Sequence, residues 1–475
     1  LKGLIDYLYP YPEPEMIKEE CGLVGVFKNE NSAEILYVGL FSLQHRGQES
    51  SGIIVSDGTS INAHMGSGLV SDVFTRDIIK SLKGNFGIGH VRYSTTGGSN
   101  KRNIQPFLVE YSGKPLAIAH NGNLTNSKTL RIELEKQGSI FQTSMDSEII
   151  IHLLVRSNGS DVKEKLINTL RQLKGAFSLL IFTENSIIAA RDANGFRPLC
   201  IGLLDNGYVI ASETCAFDLI GAQYLRDVEP GEIVVFSDNG VESYTWAENV
   251  HRSHCIFEFI YFARPDSTIF TKSVYSTRHR LGENLAEESE FDGDIVVPIP
   301  DSGSIAALGF SQKKKIPFEF GIIRNHYIGR TFIQPLQKMR DAGVKIKLNP
   351  VKSVVSGKRV IAIEDSIVRG TTCRNRVKSL KDAGAEKVML CVSCPPIISP
   401  CYYGIDFPSK QELIASTKNV EQIKEFLGLD GLCYLSVNGM LDAMPLPGKY
   451  FCTACFTGQY PVNPDFNFNK YQFEE

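Results

Sequence analysis

No strong charge imbalance is present in this sequence. Fifty Lys and Arg face 53 Asp and Glu, a formal net charge of −3 over 475 residues. That balance argues against a nucleic acid or a membrane surface as the main partner. Nor does any apolar stretch approach the ~20 residues that a membrane helix requires. A secretory signal is missing as well. The first twenty residues have no basic start and no apolar core, and carry instead Tyr9-Pro10-Tyr11-Pro12-Glu13-Pro14-Glu15. Such an acidic, proline-rich piece does not readily fold and suits a removable propeptide. There is no internal repeat, no low-complexity tract, and no basic helix or helix-turn-helix pattern. The composition is that of a soluble cytoplasmic protein of two to three domains, at ~100–200 residues per domain.

The two halves differ in rhythm. The first is dense in short alternating strands with glycine turns, plus helices at about Ser127–Lys136 and Asp146–Val155, which reads as α+β layers. Pro230-Gly231-Glu232 and the turn Ser237-Asp238-Asn239-Gly240 mark its end. Beyond Trp246 the chain is mixed, then helical near Lys272 to Glu288. The second half alternates buried strands (Ile295–Pro298, Phe320–Ile323, Val360–Ile363, Val388–Val392) with helices. That is the pattern of a doubly wound parallel sheet, whose ligands bind at the carboxyl ends of its strands.

One segment of the second half is rich in chemistry: Val360-Ile361-Ala362-Ile363-Glu364-Asp365-Ser366-Ile367-Val368-Arg369-Gly370-Thr371-Thr372. Four apolar residues suit a strand covered on both faces. A loop with glycine and hydroxyls then opens a helix, placing amides where an anion can sit. Glu364 and Asp365 cannot bind that anion; they suit sugar hydroxyls or a divalent metal. Phosphate at one end and diol with metal at the other describe a phosphorylated sugar. The segment resembles the phosphoribosyl pyrophosphate (PRPP) signature of type I phosphoribosyltransferases, with Glu364 where amidotransferase members more often have Asp. Two further loops fit that resemblance. Pro298-Ile299-Pro300-Asp301-Ser302-Gly303-Ser304 follows a strand and would form an anion nest for the pyrophosphate. Arg324-Asn325-His326-Tyr327-Ile328-Gly329-Arg330 resembles the loop that closes over PRPP, with His326 replacing the family's more usual Arg. The resemblance implies PRPP contacts from Asp301, Ser302, Arg324, Tyr327, Arg330, Glu364, Asp365, Ser366, Arg369, Gly370, Thr371 and Thr372. It implies Mg²⁺ at Ser302, Glu364 and Asp365.

Upstream, Cys21-Gly22-Leu23-Val24-Gly25-Val26-Phe27 is followed by Leu43-Gln44-His45-Arg46-Gly47-Gln48-Glu49, Gly89-His90-Val91-Arg92-Tyr93-Ser94-Thr95, His120-Asn121-Gly122-Asn123-Leu124 and Ser144-Met145-Asp146-Ser147-Glu148. Taken singly these are bland. Asn121-Gly122 makes a good two-residue hairpin turn, and Asp146 a helix N-cap. Together they resemble the N-terminal-nucleophile glutamine amidotransferases. In that family the peptide before the cysteine is removed. A free α-amine, with a pKa near ~8, can then take the thiol's proton. The resemblance implies Cys21 as nucleophile, Asn121 and Gly122 as oxyanion hole, and Arg46, Arg92, Thr95 and Asp146 as glutamine contacts.

Of the eleven cysteines, Cys452-Thr453-Ala454-Cys455 lies in irregular Pro/Gly sequence where a backbone can wrap a metal. Cys391 and Cys394 sit on a predicted strand and point apart. A cluster needs four thiolates. Cys255 and Cys401 complete the set by resemblance to the propeptide-bearing iron–sulfur branch of the glutamine PRPP amidotransferases, implying a structural [4Fe–4S] cluster. Tetrahedral zinc is the competing reading. Cys200, Cys215, Cys373 and Cys433 read as small core residues.

These resemblances imply a propeptide (1–20), an N-terminal-nucleophile glutaminase domain with αββα layers (21–252), a type I phosphoribosyltransferase domain (253–449) and a cluster-binding tail (450–475). The implied reaction moves ammonia from glutamine to C1 of PRPP, the entry to purine synthesis, in a homotetramer inhibited by purine nucleotides. An amidotransferase acting on a hexose phosphate should lack the Glu364-Asp365 segment. A salvage phosphoribosyltransferase would not need Cys21. A PRPP-binding regulator should carry a DNA-binding element.

Overall fold

The computed structural model describes residues 21–93, 100–325, 348–407, 409–464 and 473. Its first half is built on two antiparallel sheets. Seven strands lie in the spatial order Gln223–Asp227, Cys200–Leu204, Gly207–Ala211, Gly22–Phe27, Phe86–Arg92, Ser50–Ser56, Ile61–Ser67. Six more run Gly240–Thr245, Glu232–Ser237, Ser186–Arg191, Gly175–Phe182, Lys114–Leu124, Phe107–Tyr111. Alternation assigns the faces. In Gly175–Phe182, Leu180 and Phe182 join Leu23, Phe27 and Ile88 in a core between the sheets. Phe177, Leu179 and Ile181 point the other way, onto helices Ser127–Lys136, Ser147–Arg156 and Val162–Leu170. Val24 and Val26 likewise face helix Ser32–Ser42. Both sheet faces are therefore apolar, and the result is helix–sheet–sheet–helix layering.

The second half centres on four parallel strands, Ile295–Pro298, Arg359–Glu364, Lys387–Val392 and Gly431–Tyr434. Three match the sequence expectation within a residue or two. Phe320–Ile323 does not join them. The chain makes one parallel bridge from Phe318 to Val296. It then leaves, and Ile322–Arg324 pairs antiparallel with Leu348–Pro350. Phe320 and Ile323 are exposed, so apolar content alone misplaced this strand. Gly431–Tyr434 takes the remaining place, and its Cys433 is only half-buried.

Helix Val274–Glu288 packs on helix Ser304–Lys314 at backbone contact distance. A Cβ on Gly282 would lie 1.9 Å from the Ala306 carbonyl oxygen, and one on Gly309 2.1 Å from that of His279. Several contacts form the seam between the halves, among them bonds from Arg46 to Glu258 and from Arg197 to the Tyr403 carbonyl. His254–Cys255 pairs in parallel with Phe451–Cys452, aligning Cys255 with Cys452. A π-helical turn, Glu258–Phe262, follows. Arg278 holds it by donating to the carbonyls of Phe259 (2.8 Å), Tyr261 (2.7 Å) and Ala263 (2.8 Å). Among the described residues no helix is long and apolar enough to cross a membrane.

Candidate active sites

Cys21 immediately precedes the central strand Gly22–Phe27 and is buried. Its thiol donates to the Tyr93 carbonyl at 3.4 Å. Tyr93 is brought there because Gly22 pairs with Val91. Arg92, at the end of the same neighbouring strand, is buried beside Glu49, with Nη1–Oε2 at 3.7 Å. Thr95 lies outside the described residues.

Asn121 and Gly122 are not a hairpin turn. They lie within the long strand Lys114–Leu124, opposite Ser178 and Phe177. Asn121 Nδ2 is buried and has no hydrogen-bond partner among the described residues. A buried orphan amide is costly, so such groups call for an explanation. Gly122 has φ +145°, and a Cβ there would sit 2.1 Å from the Ala176 carbonyl oxygen. Only glycine lets the strand turn its backbone this way.

Asp146 stands at the start of helix Ser147–Arg156 but makes no side-chain cap. Its Oδ2 accepts from the Leu124 amide at 2.9 Å, and its Oδ1 lies 3.4 Å from His120 Nδ1. Burial pushes its carboxyl up, but His120, the Leu124 amide and the charge of Arg92 outweigh it and hold the group below its ordinary range. Asp146 and Arg92 thus share one electrostatic environment. Glu148 fixes the approach to Asp146 by accepting from the Gln142 and Thr143 amides, both at 2.8 Å. Its motif was visible in sequence, this role was not.

Arg46 lies behind the nucleophile, 1% exposed. Its Nε donates to the Cys21 carbonyl at 3.1 Å, and its other nitrogens to Glu213 and Glu258. Sequence reading gave Glu213, Glu258 and Arg197 no role. They are far apart in the chain and carry no local motif.

In the second half, Pro298 pairs with Ile363, which sets the loops after both strands side by side. Ser302 and Ser366 both donate to Asp365, and Arg324 pairs with Asp301. Glu364 is held by Arg376, about one turn beyond Thr372 on helix Thr371–Asp382. Burial pushes Glu364 up; Arg376 opposes and Asp365 adds to it, leaving it at about 8. Gly370, at φ +84°, opens that helix. Thr372 Oγ1 is buried there without a partner among the described residues. Arg369 pairs with Glu412 at 2.9 Å, and its Nε is buried and unpartnered among the described residues. Thr371 is the first residue of the helix. Tyr327, Arg330 and His326 lie outside the described residues.

The thiols of Cys255, Cys401, Cys452 and Cys455 gather at the seam. Burial raises Cys455 well above an ordinary thiol, and Cys452, Cys255, Cys401 and Cys394 add to the shift. Burial likewise pushes Cys452 up to about 12. No disulfide forms among the described residues. No group of three or more His, Cys, Asp or Glu among them is placed to hold a metal ion. The donor set itself, three buried thiols and the half-buried Cys401, is of the kind that binds an iron–sulfur cluster or zinc.

A buried cysteine at the head of the central strand of a helix–sheet–sheet–helix fold, joined to a parallel sheet with an acid pair beside a helix start, is the layout of a two-domain glutamine amidotransferase. The comparisons narrow that class. The Glutamine amidotransferase domain family matches residues 90–218. The amidophosphoribosyltransferase of Bacillus subtilis is 49% identical over 454 residues, covering 94% of this chain and 95% of that protein. That of Methanocaldococcus jannaschii is 49% identical over 465 residues, covering 94% and 98%. The solved structure of glutamine PRPP amidotransferase from B. subtilis, complexed with ADP and GMP, superposes with a TM-score of 0.90 at 47% identity, covering 94% of this chain and 99% of that one. The chain belongs to the amidophosphoribosyltransferase family, enzymes of purine biosynthesis.

Proposed function

We propose that this enzyme hydrolyses glutamine at Cys21 and passes the ammonia to C1 of PRPP, giving 5-phosphoribosylamine, glutamate and pyrophosphate. The observation that carries the acceptor is the buried Glu364–Asp365 pair beside a helix start whose Thr372 hydroxyl has no partner among the described residues. That arrangement suits a sugar diol next to a phosphate.

Removal of residues 1–20 frees the Cys21 amine, which takes the thiol's proton. The thiolate attacks the glutamine side-chain carbonyl, and Asn121 Nδ2 and the Gly122 amide hold the oxygen that becomes negative. The Cys21 ammonium gives its proton to the departing nitrogen, ammonia leaves, and water hydrolyses the thioester to glutamate. Arg92, with Thr95, holds the substrate α-carboxylate by its planar fork, and Asp146 holds the α-ammonium. Arg46, the remaining glutamine contact that the resemblance implies, acts from behind Cys21, whose carbonyl it holds.

In the second half Ser366, Arg369, Gly370, Thr371 and Thr372 surround the 5-phosphate. Asp301 and Ser302 lie at the pyrophosphate, and Arg324, Tyr327 and Arg330 close the site against water. Ser302, Glu364 and Asp365 would hold Mg²⁺, which when bound neutralises charge developing on the departing pyrophosphate. Cys255, Cys401, Cys452 and Cys455 would hold a [4Fe–4S] cluster, which when bound ties the tail to both halves. Residues 21–252, 253–449 and 450–475 are the corresponding domains. The ADP and GMP bound to the B. subtilis relative support nucleotide inhibition here. A cytoplasmic homotetramer is the assembly that fits the family.

The test is a stoichiometry. Processed protein prepared without oxygen is given glutamine, PRPP and Mg²⁺, and glutamate and pyrophosphate are followed together. Equal release, each dependent on the other substrate, is expected; glutamate without pyrophosphate would discard PRPP as acceptor.

A further inference from the structure

We propose that Glu258, contributed by the second half, is a positioning residue for the glutamine reaction. The proposal rests on the reading of Cys21 as nucleophile. Glu258 is fully buried at the start of the π-helical turn. Its Oε1 accepts from Arg46 Nη2 at 2.7 Å and from Arg197 Nη1 at 3.5 Å, and its Oε2 from Arg46 Nη1 at 3.0 Å. Through Arg46 it reaches the Cys21 carbonyl, 3.1 Å from Nε. Through Arg197 it reaches the Tyr403 carbonyl, 3.1 Å from Nε and 2.7 Å from Nη2.

The next residue, Gly404, lies against the oxyanion strand; a Cβ there would stand 3.1 Å from both Cα and C of Gly122. Asn123 Nδ2 adds a bond to the Tyr402 carbonyl at 3.0 Å. One carboxylate therefore holds the nucleophile's main chain on one side. On the other it holds the loop that backs the oxyanion glycine. Glu213, bound to Arg46 and to His45, adds a second carboxylate to the set. Removing one member of such a buried set leaves the others uncompensated. Glu258 and Arg197 have no place among the glutamine contacts, so the effect belongs in the chemical step.

Glu258→Gln keeps the shape and removes the charge. Glutamine-dependent kcat should fall about tenfold or more with the glutamine KM within about twofold, while ammonia-dependent synthesis stays within about twofold of the parent. Arg197→Lys, which keeps charge but cannot grip the Tyr403 carbonyl with two nitrogens, should show a smaller split of the same form. It serves as the test if Glu258→Gln does not fold. An unchanged glutamine kcat, a raised KM with kcat intact, or equal loss of the ammonia reaction would each overturn the proposal. Glutamine turnover surviving in Cys21→Ala would overturn both this proposal and the nucleophile reading. An inactive Cys21→Ala beside an unaffected Glu258→Gln would overturn this one alone.

Discussion

Asn121 shows how a single unsatisfied atom can carry functional meaning. Its Nδ2 is buried with nothing to donate to among the described residues, a state that water or a substrate oxygen relieves. Asn121→Ala should cost about 3 kcal/mol of transition-state stabilisation, on the order of a hundredfold in glutamine-dependent kcat. Ammonia-dependent synthesis should be spared. Steady-state kinetics with each nitrogen source checks this, and an equal loss with both would move Asn121 out of the glutaminase site. Glu364 makes a prediction in pH. Its folded carboxyl is raised from an ordinary 4.5 to about 8. Below pH 4.5 it is protonated folded and unfolded alike. As pH rises toward 8 the unfolded chain loses this proton first, so the folded state loses stability through that window. Without Mg²⁺ and PRPP, Glu364→Gln should flatten the fall of the melting temperature between those values. Parallel slopes for variant and parent would show that the group is not held protonated.

At the scale of elements, the helix pair Val274–Glu288 and Ser304–Lys314 depends on two glycines meeting opposite carbonyls. Gly309→Ala should push the helices apart and cost about 1–3 kcal/mol, read as a lower denaturation midpoint; an unchanged midpoint would mean the pair separates freely. Such close approaches explain what the sequence did and did not reveal. Strand Arg359–Glu364, its acids and the helix behind it were legible because strand, loop and helix are contiguous. The layering of the first half was legible because alternation is local. Phe320–Ile323 misled because an apolar run does not say which edge it pairs with. Asn121-Gly122 as a turn was a sound local reading, overridden by pairing with Gly175–Phe182. Glu213, Glu258, Arg197 and Arg376 were invisible because their partners are brought to them only by the fold.

At the scale of the whole molecule, the four seam cysteines make a prediction about metal. Cys455→Ser should remove iron and visible absorbance from anaerobically prepared protein and lower its thermal stability. Colourless, iron-free parent protein would count against a cluster, and zinc in its place would favour the alternative. The seam also has a temporal side. Synthesis runs from the amino end, so the sheets around Cys21 emerge long before Phe451–Cys452, the strand that His254–Cys255 pairs with. The Tyr403 loop that rests on Gly122 is likewise made late. The oxyanion strand thus takes its backing from a part of the chain made long after it, and the glutamine pocket is complete only once synthesis has passed Tyr403.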